Sequence, residues 1–241
     1  MSKALKIWLS TAASLILAGV LVFVTALYIA DFDITKLSTE KYETKTYYIN
    51  DSFQNISIDA EISDITVLPS KTQECKVEFW QTEKTEHYAT VKNNTLSVEV
   101  RDYEYSVYIG ISFTSPKVSI YLPENEYSAL SVNTETGKVS LSDLAFTTLS
   151  VKSSTGNVNL DTVVAKENIS LESDTGNIKL SSVDSKSLTV KTDTGNVKGS
   201  LLSEKKFNAK SDTGNVKVPK SKGNENCKIT SDTGNINIKI E

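Results

Sequence analysis

A phrase built on Thr-Gly recurs six times in the second half of the chain and constrains the fold more than any other feature. The glycines follow one another at intervals of 19 or 20 residues, and asparagine follows five of them. The six are Gly137, Gly156, Gly176, Gly195, Gly214 and Gly234. A fixed period of this length is typical of architectures in which each repeat buries its apolar face against the next.

Apolar and polar residues alternate on both sides of each glycine. In the repeat around Gly156, Leu149 and Val151 precede the glycine and Val158 and Leu160 follow it, at every second position. A period of two indicates a strand with one buried face. Glycine permits turn conformations that other residues resist, and Asp and Asn hydrogen-bond to nearby backbone. Each repeat is therefore predicted to be a strand, a tight turn and a second strand.

The repeats admit two arrangements. Hairpins that pair only within themselves would form a meander or a sandwich, whereas repeats stacked on one another would form a solenoid. Because the inward residues match column by column, we predict an all-β fold, a parallel β-solenoid with rungs of about 19–20 residues over residues 129–241. The stacked asparagines would form an amide ladder along one corner. Residues 51–128, with Ser63-Asp64 and Asn93-Asn94 at the turns, are predicted to form degenerate β rungs.

The N-terminal segment predicts a membrane anchor. Residues 7–30 carry no charged side chain and are long enough to cross a bilayer as a helix. The alternative is a cleaved signal peptide, but its apolar core usually spans only about 7–15 residues. Lysines flank the segment on both sides, so the positive-inside rule leaves the orientation open. We expect a short basic tail (1–6), a single transmembrane helix (7–30), a linker (31–50) and an extracytoplasmic C-terminal domain at the cell membrane.

Composition argues against several functions. The net charge of -4 and the lack of a basic stripe argue against nucleic-acid binding. The single histidine, His87, has no partners for a Ser/His/Asp triad or a multi-histidine metal site and is predicted to be a solvated loop residue. Cys75 and Cys227 alternate with apolar residues and are predicted to be buried and not bonded to each other. We predict no catalytic, cofactor-binding or metal-binding residues.

An acidic column two residues before the glycines is the sharpest local candidate for chemistry. Stacked about 4.8 Å apart, its carboxylates invite a calcium site or a glycosidase pair. Two such exposed charges repel by only about 0.9 kcal/mol in water, and the lysines three residues after the glycines can offset that. The column is therefore interpreted as turn chemistry that needs no ligand. It comprises Glu135, Ser154, Asp174, Asp193, Asp212 and Asp232, and the lysines are Lys179, Lys198 and Lys217.

An aromatic cluster over residues 101–113 is a second candidate. Tyr103, Tyr105 and Phe113 do not fit the inward alternation of their neighbours. Exposed tyrosines are common on surfaces that bind sugars or proteins, and the alternative is a strand with aromatic edge packing.

Several motifs together resemble a known bacterial family. They are the membrane segment, an FxxIxIxxxxxDIxV opening, a VxIYLP strand and the repeated Asp-Thr-Gly-Asn units. The family is the adhesin-like β-strand-repeat family, which bears a domain of unknown function and includes envelope-stress membrane proteins of the Lia type. The resemblance covers about residues 50–241 and implies an extracytoplasmic, often membrane-tethered, β-helix-like domain with no established catalytic residues.

Three functions remain open. We predict a non-catalytic binding or scaffold module of the cell envelope, held in the membrane by residues 7–30. The alternatives are a polysaccharide-active β-helix enzyme and a self-assembling structural unit. The last alternative rests on the C-terminal sequence NINIKIE, whose apolar strand has no capping segment, so that self-association through the C-terminal rung is expected.

Overall fold

The computed structural model describes residues 2–38, 41–82, 86–101, 114–220 and 223–241. These residues fall into two compact units. The first contains the described residues of 1–41 and 105–114, and the second those of 42–104 and 115–241.

The first unit is built on one apolar helix. Helix α1 spans Lys3–Ile29, and its N-cap Ser2 accepts a hydrogen bond from the Leu5 N–H. Its 27 residues give a length of about 40 Å, enough to cross a membrane, and none of them is buried in the protein. After α1, Asp31 and Phe32 adopt left-handed backbone conformations, and a short 3-10 turn follows at Ile34–Leu37. The predicted apolar helix is confirmed.

The described residues of the second unit form sixteen β-strands. In chain order they are β1 Tyr42–Ile49, β2 Asn55–Asp59, β3 Asp64–Pro69, β4 Cys75–Thr82, β5 Glu86–Lys92, β6 Thr95–Arg101, β7 Lys117–Leu122, β8 Tyr127–Thr136, β9 Val139–Thr155, β10 Val158–Thr175, β11 Ile178–Thr194, β12 Val197–Leu201, β13 Lys205–Thr213, β14 Val216–Lys217, β15 Glu225–Thr233 and β16 Ile236–Ile240. The prediction of a mostly β chain after an N-terminal helix is confirmed.

All sixteen strands belong to one mixed sheet. Strands β9, β10 and β11 pair in parallel, and Val158 lies between Val139 and Ile178, its equivalents in the adjacent repeats. Antiparallel pairs occur where β1 meets β4, β4 meets β7 and β5 meets β6. The repeats therefore stack column on column, while part of the preceding region does not follow the parallel pattern.

Two corners shape the repeats that contain β9, β10 and β11. One is the Thr-Gly-Asn turn, and the other lies six residues after the glycine, where Asp143, Thr162 and Ser182 adopt left-handed backbone conformations. Beyond these two corners, β10 carries one extra residue, because the register shifts between Ala165 and Asn168. This bulge explains the 20-residue interval at that repeat.

The inward columns fill the core. Leu149, Ile169 and Leu188 stack in register, and each is at most 2% exposed. The invariant Ser or Thr three residues before each glycine also points inward. The hydroxyls of Ser173, Thr192, Ser211 and Ser231 donate to the carbonyl of the glycine on the adjacent repeat, as from Thr192 to Gly176 at 3.2 Å. Where it forms, this bond satisfies the hydroxyl of a largely buried side chain and favours Ser or Thr in the column.

Close stacking, as well as turn geometry, requires the glycines. A Cβ added at Gly156 would lie 1.9 Å from the carbonyl oxygen of Gly137 in the neighbouring repeat. The backbone of Gly156 also has a φ of +155°, which side chains disfavour. Each glycine corner therefore lies directly on the glycine corner of the next rung.

The last two repeats stack in reverse order. The Gly195 N–H donates to the Thr233 carbonyl, and the Gly234 N–H donates to the Thr213 carbonyl, both at 2.9 Å. As a result β15 lies between β11 and β13, and β16 lies between β12 and β14. The expectation that the C-terminal strand forms an uncovered edge is wrong for Ile236 and Asn237, because the last repeat inserts beneath the one that precedes it and these two residues pair with β14. Residues 238–240 pair with β12 alone.

Two segments of the first half differ from the sequence expectation. Residues Tyr42–Ile49, placed in the linker, form β1, since their aromatic and β-branched side chains suit a strand paired with β4. Asn93 and Asn94 form the expected turn, but with positive φ angles of 49° and 61°. Two such residues make a tight hairpin, which is why β5 and β6 pair antiparallel.

Candidate binding surface

An aromatic and lysine-rich surface covers the outer face of β1, β4 and β7. Tyr48 lies opposite Lys76 on β4, and Lys76 lies opposite Tyr121 on β7. The Lys76 ammonium lies 4.3 Å from the centroid of the Tyr121 ring and 3.0 Å from a Glu78 carboxylate oxygen. These three side chains share the outer face because side chains alternate along each strand. On β4, for example, the residues on either side of Lys76 point into the core.

A second aromatic group lies further along the same strands, where Trp80 is four residues from Lys76 on β4 and Lys117 is four residues from Tyr121 on β7. The rings of Tyr42 and Trp80 stack with their centroids 4.1 Å apart, and the Lys117 ammonium lies 5.2 Å from the centre of the Trp80 ring. Flat aromatic faces beside cationic groups favour contact with rings, sugars and other planar or polar ligands.

A cleft of about 670 Å³ opens beside this surface. Tyr48, Leu68 and Tyr121 supply its apolar contacts, and the loop after β3 supplies one wall. Its polar lining residues are Ser70, Lys71, Thr72, Glu74, Lys76 and Asp143. Its volume lies in the range of small-molecule sites, and it combines apolar area with a few polar groups, as binding clefts do.

Hydrogen bonds order the loop that forms the wall. The Ser70 hydroxyl accepts from the Thr72 N–H, and the Thr72 hydroxyl accepts from the Glu74 N–H. Such local bonds let serine and threonine hold a turn without regular secondary structure. The cleft wall therefore has a defined backbone path. No motif in the sequence marked this cleft, because its residues come from strands that are distant in the chain.

Two members of the acidic column form ion pairs with lysines on their own strands. Asp193 pairs with Lys191 at 3.2 Å, and Asp212 pairs with Lys210 at 2.6 Å. Both lysines lie two residues before the aspartate, so they share its face of the strand. From the sequence, the lysines three residues after the glycines are expected to offset this charge. Two of them, Lys179 and Lys198, instead line a different groove.

The predicted asparagine ladder is confirmed. The side-chain oxygen of Asn157 accepts from the Asn177 backbone at 2.9 Å, and Asn177 does the same for Asn196. Asn196 in turn accepts from Asn235, and Asn235 accepts from Asn215, so the ladder follows the reversed order of the last repeats. It borders an open polar groove of about 530 Å³.

A buried lysine joins three strands at the reversed repeats. Lys205, at the start of β13, is fully buried, and its ammonium donates to Asp184 of β11 at 2.6 Å and to Glu225 of β15. Burial acts to raise the pKa of Asp184, but the hydrogen bonds from Lys205 and Ser203 outweigh it and hold that pKa below its ordinary value. This cluster stabilises the insertion of β15 between β11 and β13.

His87 is buried, not solvated as predicted. It is 1% exposed, stacks on Phe79, and its Nδ1 lies 3.1 Å from the Gln81 side-chain oxygen. Its Nε2 lies 3.1 Å from the Ser63 hydroxyl, and burial lowers its pKa to about 4. The expectation failed because His87 was assigned to a polar loop, although it alternates with Ala89 and Val91 on the inward face of β5.

Both cysteines are free and buried, as predicted. Burial raises the pKa of each thiol to about 12, so neither is a nucleophile at neutral pH. Among the residues that the structure describes, no group of three or more His, Cys, Asp or Glu side chains is placed to hold a metal ion. The predicted aromatic cluster of Tyr103, Tyr105 and Phe113 lies outside the described residues.

The family model described as Toastrack DUF4097 matches residues 53–241. No curated protein matches the chain significantly. A solved structure from Bacteroides fragilis, named a "putative adhesin", is similar with a TM-score of 0.50 and 18% identity, covering 84% of this chain and 98% of its own. One from Clostridium sporogenes, named a "putative cell adhesion protein", has a TM-score of 0.49 and 16% identity, covering 84% and 100%. At such identities the likeness concerns the fold alone.

Proposed function

The chain belongs to the Toastrack DUF4097 family, and we propose that it is a membrane-anchored, extracytoplasmic protein that binds an envelope component without catalysing a reaction. The observation that carries this proposal is the cleft beside Tyr48 and Tyr121. It offers an aromatic and polar binding surface on the outer face of a sheet, where a large ligand has access.

The architecture in this proposal is a parallel β-solenoid with rungs of 19–20 residues over residues 129–241. Its support is the in-register parallel pairing of β9, β10 and β11 and the continuation of the same columns in β15 and β13. Such a stack presents a long, regular surface that suits a scaffold.

The non-catalytic part of the proposal rests on the state of the reactive side chains. His87 is held inside the protein by Ser63 and Gln81, and both thiols are buried. None of these three groups is accessible to a substrate in the cleft. Adhesion-related names among similar structures fit a binding role, although those names belong to the other proteins.

Binding is tested with the full-length chain in detergent micelles. The chain is incubated with isolated cell-wall material and, separately, with solubilised membrane proteins, and the bound fraction is measured. We expect saturable binding to one fraction that Tyr48→Ser weakens by roughly tenfold or more, because interface aromatics often contribute over 1 kcal/mol. Leu202→Ser is the matched control, since Leu202 is exposed but does not line the cleft.

Binding that is absent, or equal in Tyr48→Ser and the parent chain, would contradict the proposal. The same incubations are assayed for released reducing sugar, because Glu74 and Asp143 also line the cleft. Release that Glu74→Gln or Asp143→Asn abolishes would replace binding with catalysis as the function.

The location of the β unit is tested in intact cells. Asn215→Cys places a thiol at an exposed position, whereas Cys75 and Cys227 are buried. A membrane-impermeant maleimide is expected to label this variant without lysis and to leave the parent chain unlabelled. Labelling of Asn215→Cys only after lysis would place the β unit in the cytoplasm.

A further inference from the structure

The reversed order of the last repeats leaves β13 at one edge of the sheet. Strand β13 pairs with β15 on one side, and among the described residues no strand pairs with its other side. The Thr213 carbonyl accepts from Gly234, which places the backbone groups of the odd-numbered residues toward β15. The even-numbered residues of β13 therefore direct their N–H and C=O groups outward, ready to pair with another strand.

The core is also incompletely covered at this edge. Phe207 and Ala209 are only half-buried, whereas their partners Cys227 and Ile229 on β15 are 1% and 0% exposed. The apolar side chain of the adjacent β14 is exposed as well, since Val216 is 41% exposed. A strand added to β13 would bury this apolar column as each inner rung buries its neighbour.

The charges on β13 select the occupant and its register. The outward positions are Lys206, Asn208, Lys210 and Asp212. An antiparallel second β13 centred on Asn208 would place Lys206 against Lys210, and one centred on Lys210 would place that lysine against itself. Centring on residue 211 places Lys210 opposite Asp212 but pairs only residues 209–213. Centring on residue 209 pairs β13 over its whole length and places Lys206 opposite Asp212 twice, with no like-charge pair.

We propose that two copies of this chain associate through antiparallel pairing of β13 with β13, about a two-fold axis at Ala209. The interface is isologous, so it closes as a dimer in which the β13 edges of both copies are paired. Lysines on an edge strand usually deter pairing, but here the aspartate of the partner strand compensates for them. Pro219, two residues after the end of β14, lacks a backbone N–H and so does not extend strand pairing beyond β14.

The experiment measures the mass of the full-length chain in detergent by sedimentation over a range of concentrations. We expect a monomer–dimer equilibrium in the parent chain and a rise of roughly tenfold or more in the dissociation constant for Asp212→Lys, which turns two attractive pairs into repulsive ones. The double variant Lys206→Asp with Asp212→Lys restores the opposite-charge pairs and is expected to restore the dimer. Asp232→Lys is the matched control, because Asp232 lies in the same column one rung inside the edge.

A parent chain that stays monomeric at all concentrations would overturn the proposal. A dimer that survives Asp212→Lys, as association through α1 would, also overturns it. The proposal is also overturned if Asp232→Lys weakens the dimer as much as Asp212→Lys does. Thermal unfolding of each variant is measured alongside, and the double-variant rescue distinguishes loss of pairing from loss of folding.

Discussion

The backbone N–H of Gly195 donates to the carbonyl of Thr233, 2.9 Å away, and not to the repeat that follows Gly195 in the chain. The final repeat, that of Gly234, therefore stacks directly on the repeat of Gly195, where the repeat of Gly214 would lie if the rungs followed sequence order. This exchange covers the start of the C-terminal strand on both sides and leaves β13 at a free edge of the sheet. It also brings Glu241 within 2.5 Å of the Ser200 hydroxyl, which donates to it and fixes the end of the chain.

Replacement of Gly156 by alanine is expected to destabilise the β unit by about 3 kcal/mol, because the added Cβ would overlap the Gly137 carbonyl. Chemical denaturation followed by circular dichroism measures this loss. Gly19→Ala is the control, since a Cβ there meets nothing within 4 Å. Equal stability of the two variants would contradict the close stacking of the glycine corners.

Acid is expected to destabilise the protein through His87. The pKa of this residue is about 4 in the folded state and about 6.5 when unfolded, so the unfolded chain binds more protons between these values. Stability is therefore full above pH 6.5, falls as the pH drops, and is lower by about 2.5 kcal/mol at pH 4.5 than at pH 7.

The measurement is the free energy of unfolding at several pH values for the parent chain and for His87→Gln. His87 is the only histidine, so the variant is expected to show a much flatter profile over this range. Parallel profiles in the two proteins would mean that another group causes the acid sensitivity.

Substitution of Lys205 by methionine is expected to cost about 3 kcal/mol, because it leaves Asp184 and Glu225 facing each other without their shared cation. Adding Asp184→Asn and Glu225→Gln is expected to recover at least half of this loss. Lys210→Met is the control: the Lys210 side chain is 74% exposed, so solvent screens its ion pair with Asp212 and little stability is expected to be lost. A Lys205→Met variant as stable as Lys210→Met would show that the buried cluster does not hold the strands together.

The two thiols are expected to resist alkylation in the folded protein. Both are buried with pKa values of about 12, so iodoacetamide at pH 8 should label neither until denaturant unfolds the β unit. Mass spectrometry counts the labels. Rapid labelling of either cysteine under native conditions would contradict its burial in the core.

The repeat columns were predictable because they follow from elementary strand geometry. Leu149, Ile169 and Leu188 recur at one offset from a glycine, and alternation then assigns them to the core. The asparagine ladder follows from the same stacking. His87 was also within reach, since it alternates with buried residues of β5, but a single polar residue in a polar segment gives a weak signal.

The order of the last rungs was not predictable from local patterns. The repeats of Gly214 and Gly234 carry the same Ser-Asp-Thr-Gly-Asn sequence, so both satisfy the glycine corner of Gly195 equally well. What distinguishes them is long-range: Lys205 needs carboxylates from two other strands. The cleft likewise depends on which strands pair across the sheet, because its residues come from β1, β3 and the loop after it, β4, β7 and β9.

Disulfide mapping tests the stacking order of the rungs most directly, because both the exposed edge and the dimer depend on it. Asp193 and Asp232 lie on adjacent strands, whose backbones are about 4.8 Å apart, whereas Asp212 lies one rung further, about 10 Å from Asp193. Cysteines at 193 and 232 are therefore within disulfide range, and cysteines at 193 and 212 are not. We predict that mild oxidation crosslinks the Asp193→Cys, Asp232→Cys variant and leaves the Asp193→Cys, Asp212→Cys variant reduced; an efficient 193–212 crosslink with none between 193 and 232 would contradict the reversed order.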